Sequence, residues 1–344
     1  MEFDVNRLAQ FLKNKLPELR GPMQVNRIGG GQSNPTFFVS FDNRELVLRK
    51  QPASTLLPSA HAVDREFRVM QALSQTTVPV PQVVLFHAER DVVGTPFYIM
   101  EKLPGRVFSE CALPHMTPHD RKAIYLGMAE AMAALHQVDW AAIGLSDYGR
   151  EGSYFSRQLA RWSRQWAMSK TRDDAAIELL IQWLGKNMPD ETETTISHGD
   201  FRLGNLMFHP TEARVVGILD WELSTLGHPL ADVAFNCMAF RTLPEEYGGI
   251  RGLDLNALGI PLEADYLNHY YKCSGRTDGV TAFHFAFALF RMAVIFEGIA
   301  ARAASGNAAS SDAAQVGGLS AAFAARALEF VDGRSVVDEM EAVS

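Results

Sequence analysis

Two carboxylates and a carboxamide stand close together in the second half of this 344-residue chain: Asp200, Asn205 and Asp220. They lie in Ile196-Ser-His-Gly-Asp-Phe-Arg-Leu-Gly-Asn-Leu-Met-Phe-His209 and in Gly217-Ile-Leu-Asp-Trp-Glu222, each beside a short apolar segment that can hold it still. Asn205 and Asp220 offer hard oxygen donors. Magnesium takes one or two such protein ligands and completes its shell with water and phosphate. Asp200 has no required place in that shell and can instead accept or orient a hydroxyl proton. Metal, positioning and a carboxylate at the nucleophile are what phosphoryl transfer requires. Taken singly, each of the three residues could equally cap a turn or end a strand.

The elements around them decide between these readings. Residues 206–208 and 214–219 are β-like runs joined around Pro210, which predicts a hairpin. That hairpin would bring Asn205 near the start of one strand and Asp220 near the end of the other, facing one side of a cleft with Asp200 opposite. Upstream, residues 25–41 read as strand, glycine cluster and strand, with Pro35 delaying the second strand. Gly29, Gly30 and Gly31 leave backbone N–H groups accessible to an anion such as phosphate, although alone they fit an ordinary hairpin turn. Residues 44–50 form a third strand ending in Arg49 and Lys50. A helix over 60–73 carries Val63, Phe67, Met70 and Leu73 on one face, with Glu66 beside it. A strand-borne cation could meet Glu66 and be aimed at a nucleotide phosphate; as isolated residues these are simply surface charges. In this order, and together with Asp200, Asn205 and Asp220, they favour a phosphoryl-transfer site over a set of unrelated caps.

The rest of the chain divides in two. A helix over 4–16 stops at Pro17 and the Gly21-Pro22 pair, and 83–86 and 96–100 are further strands. Glu101-Lys-Leu-Pro-Gly105 reads as a linker, so residues 1–101 form a β-rich domain and 102–344 a mainly helical one. Helices are predicted over 118–138, 154–168, 174–187, 229–240, 262–273, 281–302 and 319–331, with Trp162, Trp166 and Trp183 as packing groups. Residues 241–260 read as a loop, and 303–318, rich in Ala, Ser, Gly and Asn, as a mobile surface loop.

Composition bounds the partners. With 47% hydrophobic and 21% charged residues the chain has ample material for a core, and a net charge of −8 argues against a broad nucleic-acid surface. Cys111, Cys237 and Cys273 form no CxxC pair, which suggests a reducing compartment and small buried apolar roles. There is no HExxH or Cys/His cluster, so zinc is not expected. The start, Met1-Glu-Phe-Asp-Val-Asn-Arg-Leu, resembles no signal sequence, and no window nears the ~18 unbroken apolar residues of a membrane span. The expectation is a soluble cytoplasmic protein with neither nucleic-acid nor membrane partners. Nothing in the sequence sets an oligomeric state.

These motifs resemble the aminoglycoside phosphotransferase and choline kinase family, which shares the protein-kinase-like fold, over about residues 20–335. The most specific matches are His198-Gly-Asp200 with Asn205, and Leu219-Asp-Trp-Glu222. Gly29-Gly-Gly-Gln-Ser-Asn34, Leu46-Val-Leu-Arg-Lys50, Leu57-Pro-Ser-Ala-His-Ala-Val63 and Leu219-Asp-Trp-Glu-Leu-Ser-Thr-Leu-Gly-His-Pro229 are closest to the kinase-like domains fused to acyl-CoA dehydrogenases. The resemblance implies an α+β, bilobal fold: a small antiparallel β-sheet N-lobe and a larger, mainly helical C-lobe. It implies Asp200 as catalytic base and Asn205 and Asp220 as magnesium ligands. Gly29, Gly30 and Gly31, with Ser33, would cover the ATP phosphates, and Arg49, favoured over Lys50, would contact phosphate and pair with Glu66. Glu101 and Leu103 fall where the interlobe linker holds adenine. Arg202 would reach the transferring phosphate or form a salt bridge with a nearby carboxylate. Asp232 would brace the catalytic loop, and His198 would be structural, bonding backbone around Asp220. The implied activity is ATP- and magnesium-dependent phosphorylation of a hydroxyl on a small molecule, with a hydroxyacyl compound or its CoA ester as one candidate. Choline, a sugar or an aminoglycoside stay open as acceptors. A catalytically silent nucleotide-binding regulator is the alternative class. A protein kinase fits less well, for want of an Ala-Pro-Glu segment after Asp220.

Overall fold

The computed structural model describes residues 2–29, 34–53, 62–305 and 313–331. In chain order its elements are α1 (Val5–Lys15), β1 (Gln24–Arg27), β2 (Thr36–Phe41), β3 (Arg44–Lys50), α2 (Val63–Leu73), β4 (Val83–His87), β5 (Phe97–Glu101) and β6 (Arg106–Val107). Then follow α3 (Pro118–His136), α4 (Tyr154–Ser169), α5 (Ala175–Lys186), β7 (Thr195–Ser197), β8 (Leu206–Phe208), β9 (Val215–Ile218) and β10 (Thr225–Gly227). The chain ends with α6 (Pro229–Asn236), α7 (Met238–Arg241), α8 (Leu255–Leu258), α9 (Glu263–Ser274), α10 (Ala282–Ala304), α11 (Ala313–Gly317) and α12 (Leu319–Val331). Antiparallel sheet and helices are segregated along the chain, so the fold class is α+β.

The first compact unit comprises residues 1–107, 140–148 and 205–224. Its main sheet has the order β1-β2-β3-β5-β4, every neighbouring pair antiparallel. Alternation puts Phe37, Val39 and Phe41 on the same side as Leu46 and Leu48, where Leu8 and Leu12 of α1 seal them from water. Helix α1 starts at Asp4, whose carboxylate accepts the Asn6 and Arg7 N–H groups at 2.9 and 3.2 Å. On α2, Val63, Glu66, Val69, Met70 and Leu73 are buried, so a carboxylate sits within an otherwise apolar face. A second sheet, β6-β8-β9, supplies the hairpin expected over 206–219.

The second unit comprises residues 108–139, 149–204 and 225–344. Compared with one cut after residue 101, three later segments, 102–107, 140–148 and 205–224, group with the first unit instead. Pro118 and Pro229 open α3 and α6 at the position where a helix needs no N–H, each preceded by a capping side chain, Thr117 and His228. Helix α10 is long and apolar enough by length and composition to cross a membrane, but 83% of its most apolar window is buried inside the protein. Trp162 and Trp166 are buried on α4.

Several local expectations need correction. The β-strand β5 runs through Glu101, so the proposed linker begins one residue later. Residues 241–260 contain α8, started by Asp254, whose carboxylate accepts the Ala257 N–H at 3.0 Å. Helix α10 continues to Ala304, and Ala313–Gly317 is helical, so the described ends of the segment read as a loop over 303–318 are helical, while residues 306–312 lie outside the described residues. Its Ala content explains this, because Ala is the best helix former. Of the three cysteines only Cys237 is buried; Cys111 and Cys273 are half-buried.

Candidate active site

Two groups of residues, one in each unit, carry the candidate chemistry; residues 200–205 join them along the chain. In the first unit the centre is Arg49. Strand alternation sends Arg49 and Lys50 to opposite faces of β3, and Arg49 stands across from Tyr98 on β5. Its Nε lies 2.9 Å from Glu66 Oε2, a charge contact in which the N–H does not point along the hydrogen-bond direction. Glu66, 1% exposed, also accepts the Asn34 Nδ2–H at 2.6 Å and the Tyr98 O–H at 3.0 Å. The far end of the guanidinium donates to Asp220 Oδ1, and Glu222 Oε2 is 3.9 Å away. Burial works against the Arg49 charge, but Glu66, Asp220 and Glu222 outweigh it and raise its pKa above the ordinary arginine value. Lys50 is also buried, 3.9 Å from Glu2 Oε2, and burial lowers its pKa.

The hairpin positions the oxygen ligands. Leu206 pairs with Ile218, and the Leu219 N–H donates to the Asn205 carbonyl at 2.8 Å. Asn205 and Asp220 therefore flank the same open end of β8 and β9. Asp220 has φ +65°, a left-handed conformation unusual for a side chain larger than glycine. The Trp221 ring locks the next turn, its Nε1–H donating to the Ile218 carbonyl at 2.9 Å. Gly217 faces Leu103: a Cβ there would lie 2.5 Å from Leu103 Cδ1, so the hairpin approaches the 102–105 segment as closely as glycine permits. Leu103 makes no hydrogen bond with the described residues, which leaves its backbone groups open to a ligand edge. The Glu101 N–H donates to the Gln82 carbonyl at 2.9 Å and its side chain pairs with Arg44. Gly29 ends the described part of the first hairpin, and a Cβ there would meet nothing within 4 Å. Gly30, Gly31 and Ser33 lie outside the described residues.

In the second unit Asp200 occupies a turn that follows β7. Asp232, 1% exposed, holds that turn from α6. Its Oδ1 accepts the Ser197 hydroxyl and the Gly199 N–H, both at 2.9 Å, and its Oδ2 accepts the His198 N–H at 2.6 Å. The His136 Nε2 is 3.4 Å from Oδ2. Burial disfavours the Asp232 charge, but His136, His198 and the Gly199 N–H more than compensate, so its pKa is lowered. Gly199 has φ +80°, a conformation reserved for glycine, and its carbonyl accepts from Arg291 at 2.5 Å. Beyond Asp200, Asn236 donates to the Phe201 carbonyl at 3.1 Å and accepts the Tyr266 hydroxyl at 2.5 Å. The His198 ring is fully buried, and its Nδ1 accepts the Asp200 N–H at 3.2 Å. Arg202 Nε lies 3.3 Å from the Asp200 carboxylate.

The sequence alone did not single out Asn34, Tyr98, Asn236 or Arg291. Tyr98 was within reach, because the β3–β5 register places it opposite Arg49; the others depend on tertiary contacts with no sequence spacing to announce them.

The donor set fits magnesium-assisted phosphoryl chemistry: a carboxylate and a carboxamide on one hairpin end, with a guanidinium already matched to the carboxylate. Comparison with known proteins identifies the family. The model of the phosphotransferase enzyme family APH matches residues 24–261. Acyl-CoA dehydrogenase family member 10 of Mus musculus is 42% identical over 350 residues, 99% of this chain and 33% of the relative. The chain spans well under half the length of the curated relatives it matches, 33% and 41% of the first two. A Ralstonia eutropha crystal structure, provisionally named an aminoglycoside phosphotransferase, superposes with a TM-score of 0.87 at 42% identity, covering 96% of this chain and 99% of that one. Aminoglycoside phosphotransferase APH(4)-Ia, solved with AMP-PNP and hygromycin B, shares the fold at a TM-score of 0.60 and 15% identity, covering 94% and 99%. The chain therefore belongs to the APH phosphotransferase enzyme family and has its protein-kinase-like fold.

Proposed function

We propose that the protein is an ATP- and magnesium-dependent kinase that phosphorylates a hydroxyl group on a small acyl compound, free or as its CoA ester. The observation that carries this reading is the line Glu66–Arg49–Asp220, which ties the phosphate-contacting cation to the end of the hairpin that also bears Asn205. In this reading Asn205 and Asp220 hold magnesium, which neutralises charge on the phosphates when bound. Arg49, oriented by Glu66, contacts the phosphates, and Gly29, Gly30, Gly31 and Ser33 cover them. Backbone groups at Glu101 and Leu103 receive the adenine edge. Asp200 accepts the acceptor hydroxyl proton as its oxygen attacks the γ-phosphorus and the bond to the ADP oxygen breaks. Arg202, 3.3 Å from the Asp200 carboxylate, lies where its guanidinium can stabilise the transferring phosphoryl oxygens.

The acyl assignment rests on the names of the relatives, which are acyl-CoA dehydrogenase family members. A cytoplasmic location without nucleic-acid or membrane partners belongs to the same proposal, supported by the net charge of −8 and the burial of α10. ATP consumption is the test, measured across hydroxyacyl-CoAs, free hydroxy acids, amino alcohols such as choline, sugars and aminoglycosides. The proposal expects the highest kcat/KM on a hydroxyacyl compound. Preference for an aminoglycoside or amino alcohol would overturn the acyl assignment, and magnesium-dependent ATP binding without transfer to any acceptor would favour the silent regulator.

A further inference from the structure

Away from the candidate active-site residues, Glu130, His269 and Cys273 converge within the second unit. His269 and Cys273 are one turn apart on α9, and Glu130 projects from α3. The two helices are tied together nearby, where His136 Nδ1 and the Tyr270 hydroxyl are 2.8 Å apart. His269 Nε2 lies 3.0 Å from Glu130 Oε1 and 3.6 Å from Cys273 Sγ. All three ligand atoms lie within 4.8 Å of one another.

Such a trio has three physical readings: a nucleophile with its base and orienting acid, a hydrogen-bonded surface group, or a metal site. A catalytic triad uses both ring nitrogens, one toward the nucleophile and the other toward the carboxylate. Here thiol and carboxylate meet the same nitrogen, so the relay cannot be built. A single imidazole N–H also cannot point well at two partners. One cation at that nitrogen can serve both. With Zn–N of about 2.0–2.1 Å, Zn–S of about 2.3 Å and Zn–O near 2.1 Å, tetrahedral edges are roughly 3.6 Å for N···S and 3.4 Å for N···O. The observed N···S separation of 3.6 Å matches its edge, and the N···O separation of 3.0 Å would have to open by about 0.4 Å, a small movement for the exposed Glu130 side chain.

We propose that Glu130, His269 and Cys273 form a three-ligand site for a divalent transition metal, zinc foremost, with water in the fourth position. The mix of thiolate, imidazole and one carboxylate suits zinc and discriminates against magnesium, which takes hard oxygens only. As the metal–sulfur bond forms, the Cys273 S–H proton passes to solvent, so binding releases a proton and tightens as pH rises. The site is open to exchange, because the Glu130 and His269 side chains are 58% and 26% exposed.

The full chain, stripped with a chelator and dialysed, is titrated with cobalt and then zinc. The proposal expects one cobalt per chain with a sulfur-to-metal charge-transfer band that zinc abolishes. Cys273→Ser removes the band, and Cys273→Ser and His269→Ala each weaken zinc binding at least tenfold. Far-ultraviolet circular dichroism checks folding; should either variant misfold, Glu130→Gln, altered at an exposed side chain, carries the test with the same expected direction. A band that persists in Cys273→Ser, zinc affinity unchanged across the variants, or no stoichiometric binding would overturn the site. Phosphotransfer with magnesium and ATP stays unchanged in Cys273→Ser, so this site and the proposed kinase activity stand or fall separately.

Discussion

Replacing Asp232 tests whether the turn around Asp200 is held by one buried carboxylate. Asp232 is 1% exposed and accepts from the Ser197 hydroxyl and from the His198 and Gly199 N–H groups. Asp232→Ala leaves three donors without an acceptor, and an unsatisfied buried donor costs about 1–3 kcal/mol. The donors share one turn and relax together, so the sum falls short of three separate costs; breaking a buried charged network typically costs about 3–5 kcal/mol. Asp232→Asn keeps one oxygen but turns an N–H2 toward one donor, losing one charge-assisted hydrogen bond of roughly 2–3 kcal/mol. At roughly 2–4 °C per kcal/mol for a unit of this size, the alanine variant should melt about 10 °C lower and the asparagine variant about 5–10 °C lower. Because the turn carries Asp200, kcat should fall in the asparagine variant while the KM for ATP holds. Asp232 also has a lowered pKa, so its contribution is present above the ordinary carboxylate range and is lost as pH falls through the folded-state value. The stability gap between wild type and either variant should therefore narrow below about pH 4. Melting and turnover indistinguishable from wild type in Asp232→Asn would refute the bracing role.

Two further outcomes follow from buried charge. Arg49→Ala should lower kcat/KM by about 10²–10³ and destabilise the fold by about 3–5 kcal/mol, since it leaves Glu66 buried without the cation that offsets its desolvation; Lys50→Met, on the opposite face of β3, should leave phosphotransfer intact, which steady-state kinetics on both variants would check. His228 and His284, stacked with ring centroids 5.9 Å apart, have pKa values pushed down by burial to about 4 and about 3. Unfolded histidine binds a proton near pH 6.5, so between that pH and the folded values the unfolded chain holds more protons and stability falls as pH falls. At pH 5 the loss should be about 2 kcal/mol for each ring, measured by urea unfolding at pH 7 and pH 5, and should shrink in His284→Phe.

Much of the fold was legible before the structure, because its signals are local. The β3 strand ends in two cations, α2 carries a carboxylate beside its apolar stripe, and the 206–219 hairpin has two β-runs around a proline. The strands β7 and β10 are three residues each and too short for a period to register. The short helix α8 depends on its Asp254 cap within a loop-like sequence. The residues of the candidate site were singled out from type, order and the family resemblance. Their supports were not: Asn34 and Tyr98 matter because Glu66 is buried, and Arg291 because Gly199 presents a carbonyl to it. The Glu130, His269 and Cys273 set escaped for the same reason. Its His269–Cys273 spacing is visible on one helix, but nothing in the sequence pairs that helix with Glu130.

The central claim is that Asp200 serves the acceptor hydroxyl. The most direct test is transfer of labelled γ-phosphate from ATP to the best acceptor by wild type and Asp200→Asn, with ATP binding measured in parallel. The account predicts that transfer falls by about 10²–10⁴ while the ATP dissociation constant stays within a few-fold. Full transfer by a folded Asp200→Asn protein would contradict it.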